Sequence, residues 1–154
     1  MLVRGAWVDI PDALVLTPLY YAVSGGYSES VEKLLDLKAD ASYVDESGKT
    51  LLHTACLNDF GQVTALLIDF GRLNLEAVNV AGNTPLHLTA TRNAVVSARK
   101  LLIRGADRNK TNKFGNTALQ MAVLSGSNEV AELLRTFTDD QISKNMHEFT
   151  ETQN

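Results

Sequence analysis

The sequence predicts an all-α solenoid whose repeating unit is a helix, a short turn, a second helix and a projecting hairpin loop. Three observations predict it. Four segments align, Thr17-Pro18-Leu19-Tyr20-Tyr21-Ala22, Thr50-Leu51-Leu52-His53-Thr54-Ala55, Thr84-Pro85-Leu86-His87-Leu88-Thr89 and Thr117-Ala118-Leu119-Gln120-Met121-Ala122, with first threonines 33, 34 and 33 residues apart. A fixed period of this size marks stacked supersecondary units. An apolar pair recurs at offsets 17 and 18, as Leu34-Leu35, Leu67-Ile68 and Leu101-Leu102, with Leu134-Arg135 in the fourth copy. Glycine stands two residues before the threonine in three copies, at Gly48, Gly82 and Gly115.

Each recurring place has a physical task. The threonine hydroxyl can accept from an early backbone N–H and so start the first helix. Proline one residue later, at Pro18 and Pro85, loses only an N–H that the first turn leaves without a partner. Leucine and alanine on the following turn face the neighbouring repeat. Gly25-Gly26 reads as the turn between the two helices of the first copy. Gly71 and Gly105, at offset 21, suit a left-handed helix end, and the glycines before the threonines suit a tight hairpin tip. One unit cannot bury its apolar face alone, so the copies must stack into a continuous core.

The repeats are expected over residues 1–137, with a partial repeat over 1–16 and copies beginning near Thr17, Thr50, Thr84 and Thr117. Leu2 lies 33 residues before Leu35 and Gly5 lies 100 before Gly105, so the first nine residues read as the tail of an earlier repeat. An end of that kind exposes apolar surface, and weak self-association through it is expected. At the other end Arg135 replaces an apolar residue and no Gly-Ala-Asp loop follows, as suits a solvent-facing terminal repeat. Residues 138–154 form a polar tail without the repeat pattern, expected to be frayed or to hold a short helix around Ile142–Phe149.

This pattern resembles the ankyrin repeat. Some stretches carry a narrower resemblance. They are Leu16-Thr17-Pro18-Leu19-Tyr20 followed by Ser24-Gly25-Gly26, then His53-Thr54-Ala55-Cys56, then Asn79-Val80-Ala81-Gly82-Asn83-Thr84-Pro85-Leu86-His87. Ser97-Ala98-Arg99-Lys100-Leu101-Leu102-Ile103-Arg104-Gly105-Ala106 and Glu129-Val130-Ala131-Glu132-Leu133-Leu134 complete the set. Together they resemble the later ankyrin repeats of the Shank scaffold proteins of excitatory synapses. The resemblance implies a cytoplasmic scaffold, at cell junctions or synapses, whose ankyrin region binds cytoskeletal and regulatory proteins such as fodrin and sharpin. This chain departs from the family plan in showing no SH3, PDZ or SAM domain beside the repeats. A substrate-recognition or inhibitory ankyrin module, of a ligase or a transcription regulator, shares the same fold and is the alternative.

Bulk properties narrow the function. The 154 residues suit one domain, with 45% hydrophobic and 21% charged residues, an ordinary globular balance. A net charge of −4 argues against nucleic acid as a partner, because phosphate binding needs a surplus of Lys and Arg. No apolar run approaches the roughly 20 residues that span a bilayer, so no membrane insertion is expected. Cys56 stands alone, which fits a reducing compartment. The triplet Asn109-Lys110-Thr111 matches a glycosylation acceptor that matters only in a secreted chain.

Nothing in the sequence assembles an active site. His53 and His87 both occupy the fourth place of the Thr-x-Leu-His box, where a structural imidazole bonded to the capping threonine and the loop backbone is expected. His53 and Cys56 lie three apart, a usable spacing for two metal ligands, yet no second pair accompanies them. No phosphate-binding glycine loop, nucleophile elbow or carboxylate pair is present. No catalytic residue, cofactor or metal is expected.

The surface signal lies elsewhere. Residues 1–76 hold 11 acidic and 5 basic residues, residues 77–128 hold Asp107 against seven basic ones, and residues 129–154 return to 6 acidic and 2 basic. The positive block comprises Arg92, Arg99, Lys100, Arg104, Arg108, Lys110 and Lys113, and could receive an acidic segment of another protein. Ankyrin repeats bind through the hairpin tips and the end of the first helix, just before the threonine and at offsets 7 and 8. Apolar residues at such places are Leu14, Leu16, Leu57, Val80, Phe114 and Leu124. The expected partner-binding residues are therefore Leu57, Arg92, Lys113, Phe114 and Leu124, on the concave side.

Overall fold

A computed structural model describes residues 16–137. These fold into helices α1 (Pro18–Ser24) and α2 (Ser28–Asp36), α3 (Leu51–Leu57) and α4 (Gly61–Asp69), α5 (Pro85–Arg92) and α6 (Val95–Ile103), and α7 (Ala118–Ser125) and α8 (Asn128–Thr136). First helices pack on first helices of the neighbouring repeats and second helices on second, giving two layers. Among the described residues there is no strand, only an isolated antiparallel bridge between Val44 and Thr50 in a hairpin loop. The expected partial repeat over 1–16 falls almost entirely outside the described residues. So do its open end, the proposed self-association surface, the polar tail and its short helix.

All four threonines start their helices. Thr17, Thr50, Thr84 and Thr117 are extended N-caps whose hydroxyls accept from the N–H of Tyr20, His53, His87 and Gln120, at 3.2 to 3.3 Å. In three copies the fourth residue returns the favour. His53 Nδ1 accepts from Thr50 N at 3.1 Å, His87 Nδ1 from Thr84 N at 3.1 Å, and Gln120 Oε1 from Thr117 N at 2.8 Å. The reciprocal pair satisfies two backbone donors that a helix start otherwise leaves open.

The hairpin loops hold themselves by an acceptor the sequence reading had not singled out. Asp45, Asn79 and Asn112 each accept from the backbone N–H two and four residues later, at 2.9 to 3.1 Å. Burial pushes the Asp45 carboxyl up, but these bonds and the Ser47 hydroxyl win and hold it below the usual range. Gly48, Gly82 and Gly115 take φ of +84°, +77° and +80° to close the tips. Adjacent tips are then stitched by Val80 N donating to Ser47 O at 2.8 Å and Lys113 N to Ala81 O at 3.0 Å.

The 34-residue spacing has a local cause. In the first and third copies the left-handed residue after the second helix is at offset 21, Lys38 (φ +68°) and Gly105 (φ +91°). In the second copy it is Arg72 (φ +56°), one place later. The extra residue sits between α4 and its left-handed turn, after the apolar pair, so the core register is kept. Gly71 is thus not the left-handed residue the offset suggested. It is needed for room instead: a Cβ there would lie 2.7 Å from the Leu67 carbonyl oxygen.

The core follows the repeat. Leu19, Leu52 and Leu86 at offset 2 are buried, as are Val23, Cys56 and Ala90 at offset 6. Their counterparts in the fourth copy differ: Leu119 is half-buried and Val123 is 56% exposed, because no further repeat covers them among the described residues. Arg135 is exposed while Leu134 beside it is buried.

Candidate partner-binding surface

The hairpin tips and the ends of the first helices define one side of the stack. On the tips, Val44, Val78, Val80 and Phe114 are exposed, Phe114 at 77%. On the first helices, Tyr21 and Leu124 are exposed, Leu124 at 73%. Scattered apolar exposure is ordinary, but exposed apolar residues that recur on three successive hairpin tips make this side a candidate contact surface. The Asx-held loops give these side chains a rigid base, so presenting them costs little ordering entropy on binding.

The five expected residues divide. Lys113 and Phe114 are neighbours on the fourth-copy tip, both exposed. Arg92 is exposed in the last turn of α5 and Leu124 near the end of α7. Leu57, expected on the surface, is only half-buried at the end of α3. No hydrogen bond or ion pair joins any two of the five among the described residues. Leu16 is half-buried, and Leu14 lies outside the described residues. Tyr21, Val44 and Val78 were missed. The two valines sit six residues before their threonines, a register that could have flagged them.

The positive block is partly consumed by structure. Arg104 grips Asp69 through Nε at 2.9 Å and Nη2 at 2.8 Å, a fork geometry that links the third repeat to the second. Arg108 Nη1 donates to the carbonyls of Leu134 and Phe137. Arg92, Arg99, Lys100, Lys110 and Lys113 make no ion pair among the described residues.

The two buried imidazoles and the thiol are held in structural roles. His53 Nε2 lies 2.9 Å from the Asn83 carbonyl and His87 Nε2 lies 2.9 Å from that of Asn116. Because Nδ1 accepts from the capping N–H, the proton sits on Nε2 and donates to the next repeat. Burial lowers both imidazole pKa values. The Cys56 thiol, fully buried, is pushed up to about 12 by that burial, which keeps it the unreactive thiol. Among the described residues no group of three His, Cys, Asp or Glu side chains could hold a metal ion.

A two-layered stack of capped helix pairs with bonded hairpin tips is an ankyrin domain, and the chain belongs to the ankyrin-repeat family. The family description "Ankyrin repeats (3 copies)" matches residues 2–76, 19–112 and 63–148. Such repeats are protein–protein interaction modules. Among individual proteins, the chain is similar to human SH3 and multiple ankyrin repeat domains protein 2, 35% identical over 92% of this chain and 8% of that protein. It is 31% identical to the transient receptor potential cation channel subfamily A member 1 homolog of Caenorhabditis elegans, over 86% of this chain and 11% of that one. The ankyrin repeat protein OPG189 of variola virus is 27% identical over 90% of this chain and 26% of its own length. The chain thus spans well under a third of these relatives.

Proposed function

We propose that this chain is the partner-holding module of a cytoplasmic scaffold, and that it binds another protein along the concave side across its second to fourth copies. The observation that carries this is the exposed apolar series on the rigid tips and first-helix ends, with Phe114 and Leu124 its most exposed members. Phe114 and Leu124 are the anchors, Leu57 contributes from the floor, and Arg92 and Lys113 steer an acidic segment. The similarity to a protein with SH3 and multiple ankyrin domains favours a scaffold. Its site of action is the cytoplasmic side of a junction or synapse, as the Shank resemblance implies. No helix among the described residues is long and apolar enough to cross a membrane.

The test is surface plasmon resonance of the chain against a partner found by pull-down. Truncating a buried aromatic anchor costs on the order of 2 kcal/mol, while a rim charge acts mainly on association rate and salt dependence. Phe114→Ala should therefore weaken binding far more than Lys113→Ala, and Arg92→Glu should slow association and flatten its salt dependence. If all three variants fold normally and bind like the parent, the concave reading fails.

A further inference from the structure

The opposite side of the stack carries a second feature. The second helices α2, α4, α6 and α8 form the outer layer, and their residues at offset 15 are Glu32, Ala65, Arg99 and Glu132. Three of these are long, charged and exposed; Ala65 alone is short. The outer layer therefore dips along α4. A groove of about 710 Å³ runs there, lined by Glu32, Ala65, Leu66, Phe70, Val96 and Lys100 among others. Phe70 and Val96 are 62% and 49% exposed at its lip.

Its two walls differ in sign. The α2 wall presents Glu32, in no ion pair among the described residues. The α6 wall presents Lys100, likewise unpaired. Arg104 and Asp69, also in the lining, are bridged to each other at 2.8 Å. Opposite charges stand on the two sides without meeting, over an apolar floor.

We infer that this outer groove docks an amphipathic helix of a partner protein, apolar toward Ala65, Phe70 and Val96, basic on the flank facing Glu32 and acidic on the flank facing Lys100. A helix fits better than a strand. Strand addition draws its affinity from unpaired backbone groups at a sheet edge, and the outer helices have satisfied theirs. Packed helices lie about 8 to 10 Å apart, so a helix riding on α4 has the width of one missing row between α2 and α6. This surface is separate from the concave one and does not depend on it.

The probe is a set of synthetic helical peptides of about four turns, sharing one leucine stripe and differing in their flanks: Lys on one and Glu on the other, Lys on both, or Glu on both. A mixed-flank helix satisfies both walls in one of its two directions, whereas the uniform ones always oppose one wall. Titrated by fluorescence anisotropy against the full chain, the mixed peptide should bind saturably and about tenfold more tightly than either uniform peptide. Ala65→Arg, which restores the long side chain of the other copies, should abolish this binding. Glu32→Lys, at an exposed position that leaves folding intact, should transfer the preference to the all-Glu peptide. Phe114→Ala should change nothing, which separates this groove from the concave face. Absence of saturable binding by the mixed peptide, or binding indifferent to Glu32→Lys, overturns the inference even if Ala65→Arg fails to fold.

Discussion

The joint between the first and second repeats and the joint between the second and third share one backbone plan and differ in chemistry. At the first, Tyr20 stands where the second and third copies have His. Its ring meets Tyr43 of the next hairpin edge-on, with centroids 5.0 Å apart. The left-handed turn residue between helices is Gly26, against which the Phe60 ring lies so closely that a Cβ would come within 2.8 Å. At the second joint the same two places are His53 and Asp59. His53 bonds to Asn83, and Asp59 accepts from Ser97 N at 2.8 Å in the next outer helix. Thr64 Oγ1 adds a contact to Ser97 Oγ at 3.2 Å. The third joint repeats the polar plan, with His87 on Asn116 and Asn93 Oδ1 accepting from Val130 N at 3.1 Å. Apolar contact tolerates sliding, whereas directional bonds fix how far one repeat is rotated on the next. The difference teaches that register is set in the middle of the stack and merely filled in at its beginning.

Among changes that keep the side-chain volume, removing a polar joint should have the largest effect. His53→Leu keeps the volume but strips Thr50 N of its acceptor and Asn83 O of one donor. Each buried polar group left short costs roughly 1 to 3 kcal/mol. We expect His53→Leu to lose about 2 to 3 kcal/mol in urea denaturation. In a stack held by nearest-neighbour interfaces, the transition should also broaden as the two halves uncouple. A loss below about 0.5 kcal/mol, the size of an indifferent surface change, would mean that the polar joints contribute no more than packing.

Much of this was legible in the sequence. The threonine caps, the hairpin glycines and the structural role of both histidines all followed from period and residue type. What periodicity could not show is how copies differ where they meet. Asp59 and Asn93 look like ordinary turn residues, and only the stacked geometry brings them to the next repeat's outer helix. The Gly71 assignment failed because an offset cannot locate an insertion of one residue. The outer groove was hidden for a related reason. Ala65 is unremarkable until its equivalents are seen to be Glu, Arg and Glu on adjacent helices. Among the binding residues, the exposure of Phe114, Leu124 and Lys113 agreed with their offsets, while Leu57 is drawn inward at the end of α3.

A smaller effect sharpens the comparison through pH. Burial lowers the pKa of His53 and His87 below the ordinary 6.5. The folded state then binds fewer protons than the unfolded one. Their contribution is fully present above pH 6.5 and is lost as pH falls from there through the folded values. Thermal melts should thus show a decline in stability below pH 6.5 that belongs to the second and third joints. Gln120 does the capping work of these histidines in the fourth copy without titrating, so His53→Gln with His87→Gln should flatten that slope while holding the caps. An unchanged slope in the double variant would assign the acid sensitivity to carboxylates elsewhere.

The smallest effect is expected at the first joint, and its smallness is the informative part. Tyr20 occupies the histidine place but forms no side-chain hydrogen bond among the described residues; its ring packs edge-on against Tyr21 at 5.7 Å and Tyr43 at 5.0 Å. If the joint is held by ring packing alone, Tyr20→Phe removes nothing that holds it. The change should stay within about 0.5 kcal/mol in denaturant midpoint at unchanged slope. Tyr20→Ala removes the ring and leaves a gap, a loss of roughly 3 kcal/mol if the site cannot collapse. The pair separates ring from hydroxyl. A cost for Tyr20→Phe near that of His53→Leu would show that the first joint also depends on a polar contact of the hydroxyl, and the contrast between the two joints would disappear.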